Sequence, residues 1–278
     1  MAHPSDELLV KTWEGLKGEL DHRRPIWRER ISGMGQTKAI AEREAGKVWT
    51  DREVVEALVL AVLSNSVDWS KIERIMPELA SCFDGFNPEA CASYSLEEVK
   101  GRLLPWFLER RSGTTTLAKS LERFPKAVRL LISRGVDAGS MHGYFVSLHE
   151  RCNRDAKTMA YELGKEGGAH KLPGLRTPLA AEFLKNLGFD VSKPDRHINR
   201  AVGVFGWVEF RNWKDREGTS APDALPKEML AVMTVLERMA EAAGERAAFV
   251  DNAVWYLCAK DGAYLRNEEL ALVMARAK

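Results

Sequence analysis

Residues 172–200 read LPGLRTPLAAEFLKNLGFDVSKPDRHINR, and this stretch decides the fold. A Leu-Pro-Gly turn at 172–174 precedes apolar residues at helical spacing: Leu179, Phe183, Leu184 and Leu187. Gly188 is typical of the residue that ends a helix. Residues 192–195 then predict the start of a second helix, whose apolar side carries Ile198, Val202 and Phe205.

The first of these helices begins directly after a glycine-containing turn. Its N-terminus should expose unpaired backbone N–H groups and the positive end of the helix dipole. Both favour the binding of a phosphate group. Asp195 follows Gly174 by 21 residues and precedes the second helix. The pattern therefore combines a candidate phosphate grip with a single carboxylate.

This pattern resembles the helix-hairpin-helix/Gly-Pro-Asp superfamily of DNA glycosylases, the superfamily of endonuclease III. In that superfamily the hairpin reads LPGxGxxTA, and the later carboxylate lies in a segment like VDTHxxR. The residues that match are Leu172, Pro173, Gly174 and Ala180 in the first motif, and Asp195, His197 and Arg200 in the second. Arg176 replaces the second hairpin glycine.

The resemblance implies an all-α, two-lobed fold with a cleft between the lobes. Residues 51–187 would form a central helical barrel lobe that includes the hairpin. Residues 1–50 with 188–278 would form the second lobe, which carries Asp195. The expected partner is double-stranded DNA that contains a modified base, bound across the mouth of the cleft.

The implied activity is that of a DNA glycosylase, which hydrolyses the N-glycosidic bond of a flipped base. Asp195 would stabilise the positive charge that develops on the deoxyribose and would orient or deprotonate water. The residues expected to contact DNA are Leu172, Gly174, Leu175, Arg176, Thr177, His197 and Arg200. A flipped base needs a pocket and leaves a gap to fill, for which the candidates are Asn65, Ser66, Trp69, Trp106 and Phe107.

The enzyme should be monofunctional. Members that also cleave the strand use a lysine four residues after the first hairpin glycine, and Pro178 occupies that position here. Endonuclease III relatives often carry an iron–sulfur cluster on four cysteines after the aspartate, whereas only Cys258 follows Asp195. We therefore expect no cofactor and no bound metal.

A second resemblance covers part of the first half. SVDW at 66–69, FDGFNPE at 83–89 and LEEV at 96–99 are similar to the matching stretch of 3-methyladenine DNA glycosylase I. Ala61 replaces the glutamate that reads the damaged base in that family, and its zinc-binding cysteines have no counterpart. This resemblance therefore favours a shared fold more than a shared substrate.

Capping signals and helical periodicity extend over the rest of the chain, and no stretch alternates with a period of two. Ser5, Thr50 with Glu53, Asn87 with Pro88, and Ser95 with Glu98 predict helix starts. Further helices are predicted near 107–123, 125–134, 137–149 and 154–165, and within 227–259. These signals independently favour an all-α protein.

Charge and composition narrow the function only slightly. The 278 residues carry a net charge of +1, but residues 151–200 hold ten Lys/Arg and six Asp/Glu, a surplus that coincides with the hairpin. The first residues lack a signal peptide, and the most apolar run, 54–63, is too short to span a bilayer. We expect a soluble, cytoplasmic monomer.

Two other functions fit the same residues. One is a non-catalytic helix-hairpin-helix DNA-binding protein, which the missing second glycine makes possible. The other is a helical scaffold unrelated to DNA, in which Asp195 only caps a helix. The sequence does not identify the base: alkylated purines, deaminated or mismatched pyrimidines, oxidised purines and enlarged modified cytosines all stay open.

Overall fold

The computed structural model describes residues 4–65, 69–110 and 112–277. Every regular element among these residues is helical, and no strand occurs in them. The all-α prediction is therefore confirmed. The chain divides into two compact units, which we name the terminal unit (Met1–Ala41 with Gly188–Lys278) and the central unit (Glu42–Leu187).

The helices follow one another with short connections. The first segment of the terminal unit forms α1 (Asp6–Arg23), α2 (Trp27–Ser32) and α3 (Gln36–Glu44), the last of which extends into the central unit. The central unit continues with α4 (Asp51–Leu63), α5 (Trp69–Cys82), α6 (Pro88–Ser93), α7 (Leu96–Glu98), α8 (Leu104–Glu109), α9 (Thr115–Asp137), α10 (Met141–Arg151), α11 (Ala156–Gly164) and α12 (Thr177–Asn186). The second terminal segment forms α13 (Arg196–Val204), α14 (Pro226–Ala243), α15 (Ala247–Cys258) and α16 (Asn267–Ala277).

Side-chain caps begin several helices, as the sequence predicted. Thr50 and Glu53 form a reciprocal capping box, in which the Thr50 N–H donates to Glu53 Oε2 at 2.8 Å and the Glu53 N–H donates to Thr50 Oγ1 at 3.3 Å. Asn87 accepts the N–H of Ala90 before α6. Such a cap contributes about 1 kcal/mol because it satisfies an amide that the helix leaves unpaired.

Pro125 departs from the prediction. The sequence predicted separate helices near 107–123 and 125–134, but α9 runs unbroken through Pro125. Proline lacks the N–H that bonds to the preceding turn, which costs about 3 kcal/mol within a helix. Pro125 is buried beside Phe124 and Val128, and burial of this apolar face offsets the lost hydrogen bond.

Aromatic rings form part of the core of the central unit. The Phe83 ring centroid lies 6.3 Å from that of Phe107 and 5.5 Å from that of Phe124. Phe107 is 0% exposed. The prediction that Phe107 lines a base pocket or fills a gap in DNA is therefore corrected, since a buried core ring cannot reach a base.

The terminal unit has its own core. One face of α1 packs on α14, α15 and α16 through the buried side chains Leu9, Trp13, Leu16 and Leu20. Asp190, in the segment that leads to α13, caps α15, because its carboxylate accepts the N–H groups of Ala247 at 3.2 Å and Ala248 at 2.8 Å. This cap fixes the chain shortly before Asp195.

The cysteines are free and buried: Cys82, Cys91, Cys152 and Cys258. Burial raises the pKa of Cys258 to about 11, so this thiol is protonated and acts as an apolar packing group. Within the described parts of the chain, no helix has the length and hydropathy that crossing a bilayer requires.

Gly164 is the point at which α11 meets the start of α12. A Cβ atom at Gly164 would lie 2.3 Å from the backbone nitrogen of Thr177 and 2.5 Å from its Cα. Both atoms belong to the backbone and cannot rotate away. Any side chain at this position must therefore push the two helices apart.

We predict that Gly164→Ala lowers the free energy of unfolding by about 1–3 kcal/mol, the usual cost of overpacking. Gly101→Ala is the matched control, because no atom lies within 4 Å of its added Cβ. It should raise stability by up to about 1 kcal/mol, because alanine favours helical backbone more than glycine does. Urea unfolding monitored by circular dichroism measures both values, and equal stability of the two variants would contradict the close contact.

Candidate phosphate-binding hairpin and catalytic carboxylate

The loop between α11 and α12 is closed by hydrogen bonds to its own backbone. The Leu172 N–H donates to the Leu163 carbonyl at 3.0 Å. The Lys171 ammonium donates to the carbonyls of Gly164 at 2.7 Å and Leu175 at 2.6 Å, and to Glu166 at 2.7 Å. Lys171 thus ties the end of α11 to the turn that starts α12.

Residues 172–175 form a β-turn with the features of type II. Pro173 occupies the second position, Gly174 occupies the third with φ +84°, and the Leu175 N–H donates to the Leu172 carbonyl at 3.2 Å. A positive φ at the third position favours glycine, because other residues clash there. The Leu-Pro-Gly signal in the sequence therefore has a direct structural cause.

Arg176 is accommodated without strain in place of the second motif glycine. Its backbone is extended, with φ −101° and ψ 172°, and it serves as the N-cap residue of α12. Any residue adopts this conformation. The side chain of Arg176 is exposed, so the replacement adds a cation beside the turn.

The start of α12 keeps unused hydrogen-bond donors. The first intrahelical bond runs from the Ala180 N–H to the Arg176 carbonyl at 2.9 Å. No acceptor within the described residues takes the N–H groups of Gly174, Arg176 or Leu179. These amides, at the positive end of a helix, are the groups that a phosphate would use.

The other predicted hairpin contacts have structural roles. Leu172 is 0% and Leu175 is 1% exposed, and both of their amides bond to carbonyls of the hairpin itself. Thr177 is 4% exposed and lies against Gly164. The prediction that Leu172 and Leu175 contact DNA is therefore corrected: they shape the turn, and Gly174 and Arg176 present its donors.

Two neighbouring helices hold the loop that precedes the turn. The Arg134 guanidinium, on α9, donates to the carbonyls of His170 at 3.0 Å and Ala169 at 2.9 Å. The Tyr144 hydroxyl, on α10, lies 3.2 Å from Nδ1 of His170. Neither residue can be found from the sequence alone, because nothing in a local pattern links residues 134 and 144 to a loop about 30 positions later.

Asn65, one of the candidate gap fillers, lies near the hairpin turn. Its side-chain amide donates to Oγ of Ser120 at 3.0 Å. A Cβ added to Gly174 would lie 3.7 Å from the Ser120 carbonyl oxygen and 3.2 Å from Cβ of Arg123. The same turn of α9 therefore supports both Asn65 and the hairpin turn.

The remaining pocket candidates are dispersed. Trp69 is half-buried, and its indole N–H donates to Glu73 at 3.1 Å on the same helix. Trp106 is half-buried, with the Arg110 guanidinium 4.1 Å from its ring centroid. Ser66 lies outside the described residues. No hydrogen bond, ion pair or ring contact joins Trp69 or Trp106 to Asn65 or Ser120 in the part of the chain that the structure describes.

Asp195 is the N-cap of α13. Its Oδ1 accepts the N–H groups of His197 at 2.8 Å and Ile198 at 3.2 Å. The residue is half-buried, and its Oδ2 has no hydrogen-bond donor among the described groups. One oxygen is therefore fixed by the helix, and the other can interact with a substrate or a water molecule.

His197 is an electrically neutral neighbour of Asp195. Burial lowers its pKa to about 4, against a smaller opposing effect of the Asp195 charge. Its Nε2 accepts a hydrogen bond from Nε of Arg196 at 3.3 Å, and its ring meets Trp255 edge to face. His197 can contact DNA as a neutral imidazole, but not as a cation at neutral pH.

Arg200 is an internal structural residue. It is 1% exposed, and its guanidinium donates to the carbonyls of Leu265 at 2.8 Å and Cys258 at 3.2 Å and to Oδ1 of Asn267 at 3.1 Å. The expected DNA contact of Arg200 is therefore corrected. Its role is to anchor α13 to the C-terminal segment of the terminal unit.

The predicted functional residues fall into two groups. Gly174, Arg176 and Asn65 lie together in the central unit, whereas Asp195 and His197 start α13 in the terminal unit. Among the described residues, no group of three or more His, Cys, Asp or Glu side chains could hold a metal ion. No family model, curated protein or solved structure matches this chain.

We predict that Arg200→Ala lowers the free energy of unfolding by about 3 kcal/mol, because it leaves several buried acceptors unpaired. Arg266→Ala is the matched control: this arginine is exposed, and its loss should cost less than about 0.5 kcal/mol. Urea unfolding provides the comparison. If Arg200→Ala left the free energy of unfolding unchanged but weakened DNA binding, the result would instead support the original prediction that Arg200 contacts DNA.

The low pKa of His197 makes part of the stability dependent on pH. The unfolded chain binds a proton as the pH falls through about 6.5, whereas the folded protein resists protonation down to about 4. This stabilisation is therefore complete above pH 6.5 and is lost as the pH falls towards 4. We predict that His197→Asn reduces the difference in unfolding free energy between pH 7 and pH 4.5 by about 2–3 kcal/mol. An imidazole that titrates near pH 6.5 by NMR would refute this prediction.

Proposed function

We propose that this protein is a monofunctional DNA glycosylase of the helix-hairpin-helix/Gly-Pro-Asp type. The observation that carries the proposal is the left-handed Gly174 turn at the N-terminus of α12, which leaves amides unused, 21 residues before a carboxylate that caps α13. The proposal includes the two-lobed arrangement of that superfamily. The division of the chain into a central unit and a terminal unit supports this arrangement.

The hairpin has what a phosphate grip requires. The unused N–H groups of Gly174 and Arg176 stand at the positive end of α12, and the exposed side chain of Arg176 adds a full charge. Lys171 and Arg134 satisfy the carbonyls of the preceding loop, which rigidifies the turn. Contacts of this kind hold the DNA backbone without reading its sequence.

Asp195 supplies the chemistry. Cleavage of an N-glycosidic bond builds positive charge on the deoxyribose, and a fixed carboxylate stabilises that charge. Oδ1 is held by two backbone amides, which leaves Oδ2 to face the sugar or to orient the attacking water. The neutral His197 beside it does not cancel the negative charge that this role requires.

The flipped base leaves a gap in the duplex. Asn65 is the favoured gap filler, because Ser120 holds its half-buried amide next to the hairpin turn. Trp69 and Trp106, which are half-buried, stay candidates for the base pocket. The identity of the base stays open.

Strand cleavage is not part of the proposed reaction. It needs an amine near C1′ of the sugar, and Pro178 occupies the position of the lysine in the superfamily. Lys185 is 1% exposed within α12, and the ammonium of Lys171 already donates to three oxygens. Neither of these lysines is placed to form a Schiff base, and Lys193, the third lysine of this stretch, does not occupy the position of the superfamily lysine either.

The test is a screen of duplexes that each carry one modified base. Wild-type protein should release one base class and leave an abasic site that is cleaved only after hot alkali. Asp195→Asn should reduce this release by at least about 10²-fold, equivalent to about 3 kcal/mol of transition-state stabilisation. Asparagine is an equally good N-cap, so folding and DNA binding should be unchanged.

A matched control completes the design. Asp223→Asn changes a different carboxylate of the terminal unit, one that is exposed, and should leave the rate of base release unchanged. Wild-type rates in Asp195→Asn would refute the catalytic role. Duplex binding without release of any base in the screen would assign the protein to the alternative class, a non-catalytic DNA-binding protein.

A further inference from the structure

One side of α9 carries three cations that the proposed function does not use. Lys119, Arg123 and Lys126 are spaced by four and three residues, which places them on the same side of the helix. All three are exposed. They make no ion pair with any acid among the described residues. Glu122, the acid nearest in sequence, lies 3.7 Å from Lys100.

These cations lie next to the hairpin turn. A Cβ on Gly174 would be 3.2 Å from Cβ of Arg123, so the turn rests on α9 at this residue. The pKa of Glu166 agrees with this proximity. Its pKa is lowered first by the hydrogen bond from Lys171, and the charges of Arg176 and Arg123 lower it further. The side chains of Arg123 and Arg176 therefore flank the hairpin turn.

The chemical character of this surface favours a polyanion over a protein partner. Protein interfaces usually contain exposed aromatic or other apolar anchors. The turns of α9 from Lys119 to Lys126 expose no large apolar side chain, and the exposed Val136 of this helix lies in its last turn. Lys119 and Lys126 are separated by about 10 Å along the helix axis, from the rise of 1.5 Å per residue. That length corresponds to about three spacings between the phosphates of one DNA strand, which recur every 3.4 Å along the duplex axis.

We infer that Arg176, Arg123, Lys119 and Lys126 form a phosphate-binding track, which continues the grip of the hairpin along α9 and holds the backbone of double-stranded DNA. The inference rests on the proposed function for the identity of its partner. The track binds any sequence equally, because only phosphates are contacted. It places the duplex along α9 as well as on the hairpin.

The experiment measures binding of the full chain to an unmodified 20-base-pair DNA duplex over a range of salt concentrations. Each of Lys119→Gln, Arg123→Gln and Lys126→Gln should reduce the slope of log K against log salt by about 0.9, and should weaken binding about fivefold at 0.15 M salt. Arg123→Lys should retain the slope, since the charge is kept.

Arg154→Gln is the matched control. It also removes an exposed positive charge from the central unit, but that charge is already paired with Glu150 at 3.0 Å. Its slope should equal that of the wild type. An equal loss in Arg154→Gln and Arg123→Gln would attribute the effect to net charge and overturn the track.

Base release separates this inference from the proposed function. Single-turnover release at sub-saturating enzyme should fall in the three variants in proportion to their weaker binding, because the track acts only through binding, whereas Arg154→Gln should match the wild type. A triple variant with the wild-type slope would overturn the track and leave the glycosylase standing. Wild-type protein that neither binds duplex DNA nor releases a base would overturn both. Equal affinity and equal slope on an RNA duplex would overturn the assignment to DNA.

Discussion

The contact between Gly164 and Thr177 is the constraint on which the hairpin depends. The backbone of Thr177 comes so close to Gly164 that no side chain fits between α11 and α12. This approach brings the ends of the connecting loop together, so that Lys171 can reach carbonyls on both sides and residues 172–175 can close as a turn. The N–H groups of Gly174 and Arg176, just before α12, are left without an acceptor among the described residues. The turn on which the proposed phosphate grip depends is thus a consequence of helix packing and not only of the Leu-Pro-Gly sequence.

The basic residues around the hairpin divide into structural and available cations, and the sequence count does not separate them. Lys171 and Arg200 donate to backbone carbonyls, and Lys185 is buried within α12. These three contribute to the surplus of residues 151–200, although none of them presents a free charge to a partner. Conversely, Arg123 lies outside that window in sequence and beside Gly174 in space. Electrostatic attraction to DNA depends on exposed charge. The residues of the basic surface are therefore identified by their exposure and position in the fold, and not by the count of cations in one stretch of sequence.

Asp195 combines a structural and a proposed chemical role in one carboxylate. Oδ1 begins α13 through two amide hydrogen bonds, which fix the orientation of the side chain. A catalytic group benefits from this arrangement because a preorganised charge needs no rearrangement during the reaction. Arg200, one helical turn later, anchors α13 through the carbonyls of Cys258 and Leu265. The position of Asp195 therefore rests on residues that have no chemical role themselves.

The sequence by itself determined the local features: the all-α class, the caps at Thr50 and Asn87, the turn at Gly174 and the helix start at Asp195. Each of these depends on residues within about four positions of one another, so a one-dimensional pattern contains the necessary information. Only the tertiary structure decided that Arg200 and Phe107 are buried, that α9 continues through Pro125, and that Arg123 and Asn65 neighbour the hairpin turn. These outcomes depend on contacts between distant residues. Burial and long-range packing override local preference, because the free energy of a buried side chain is set by the partners that surround it.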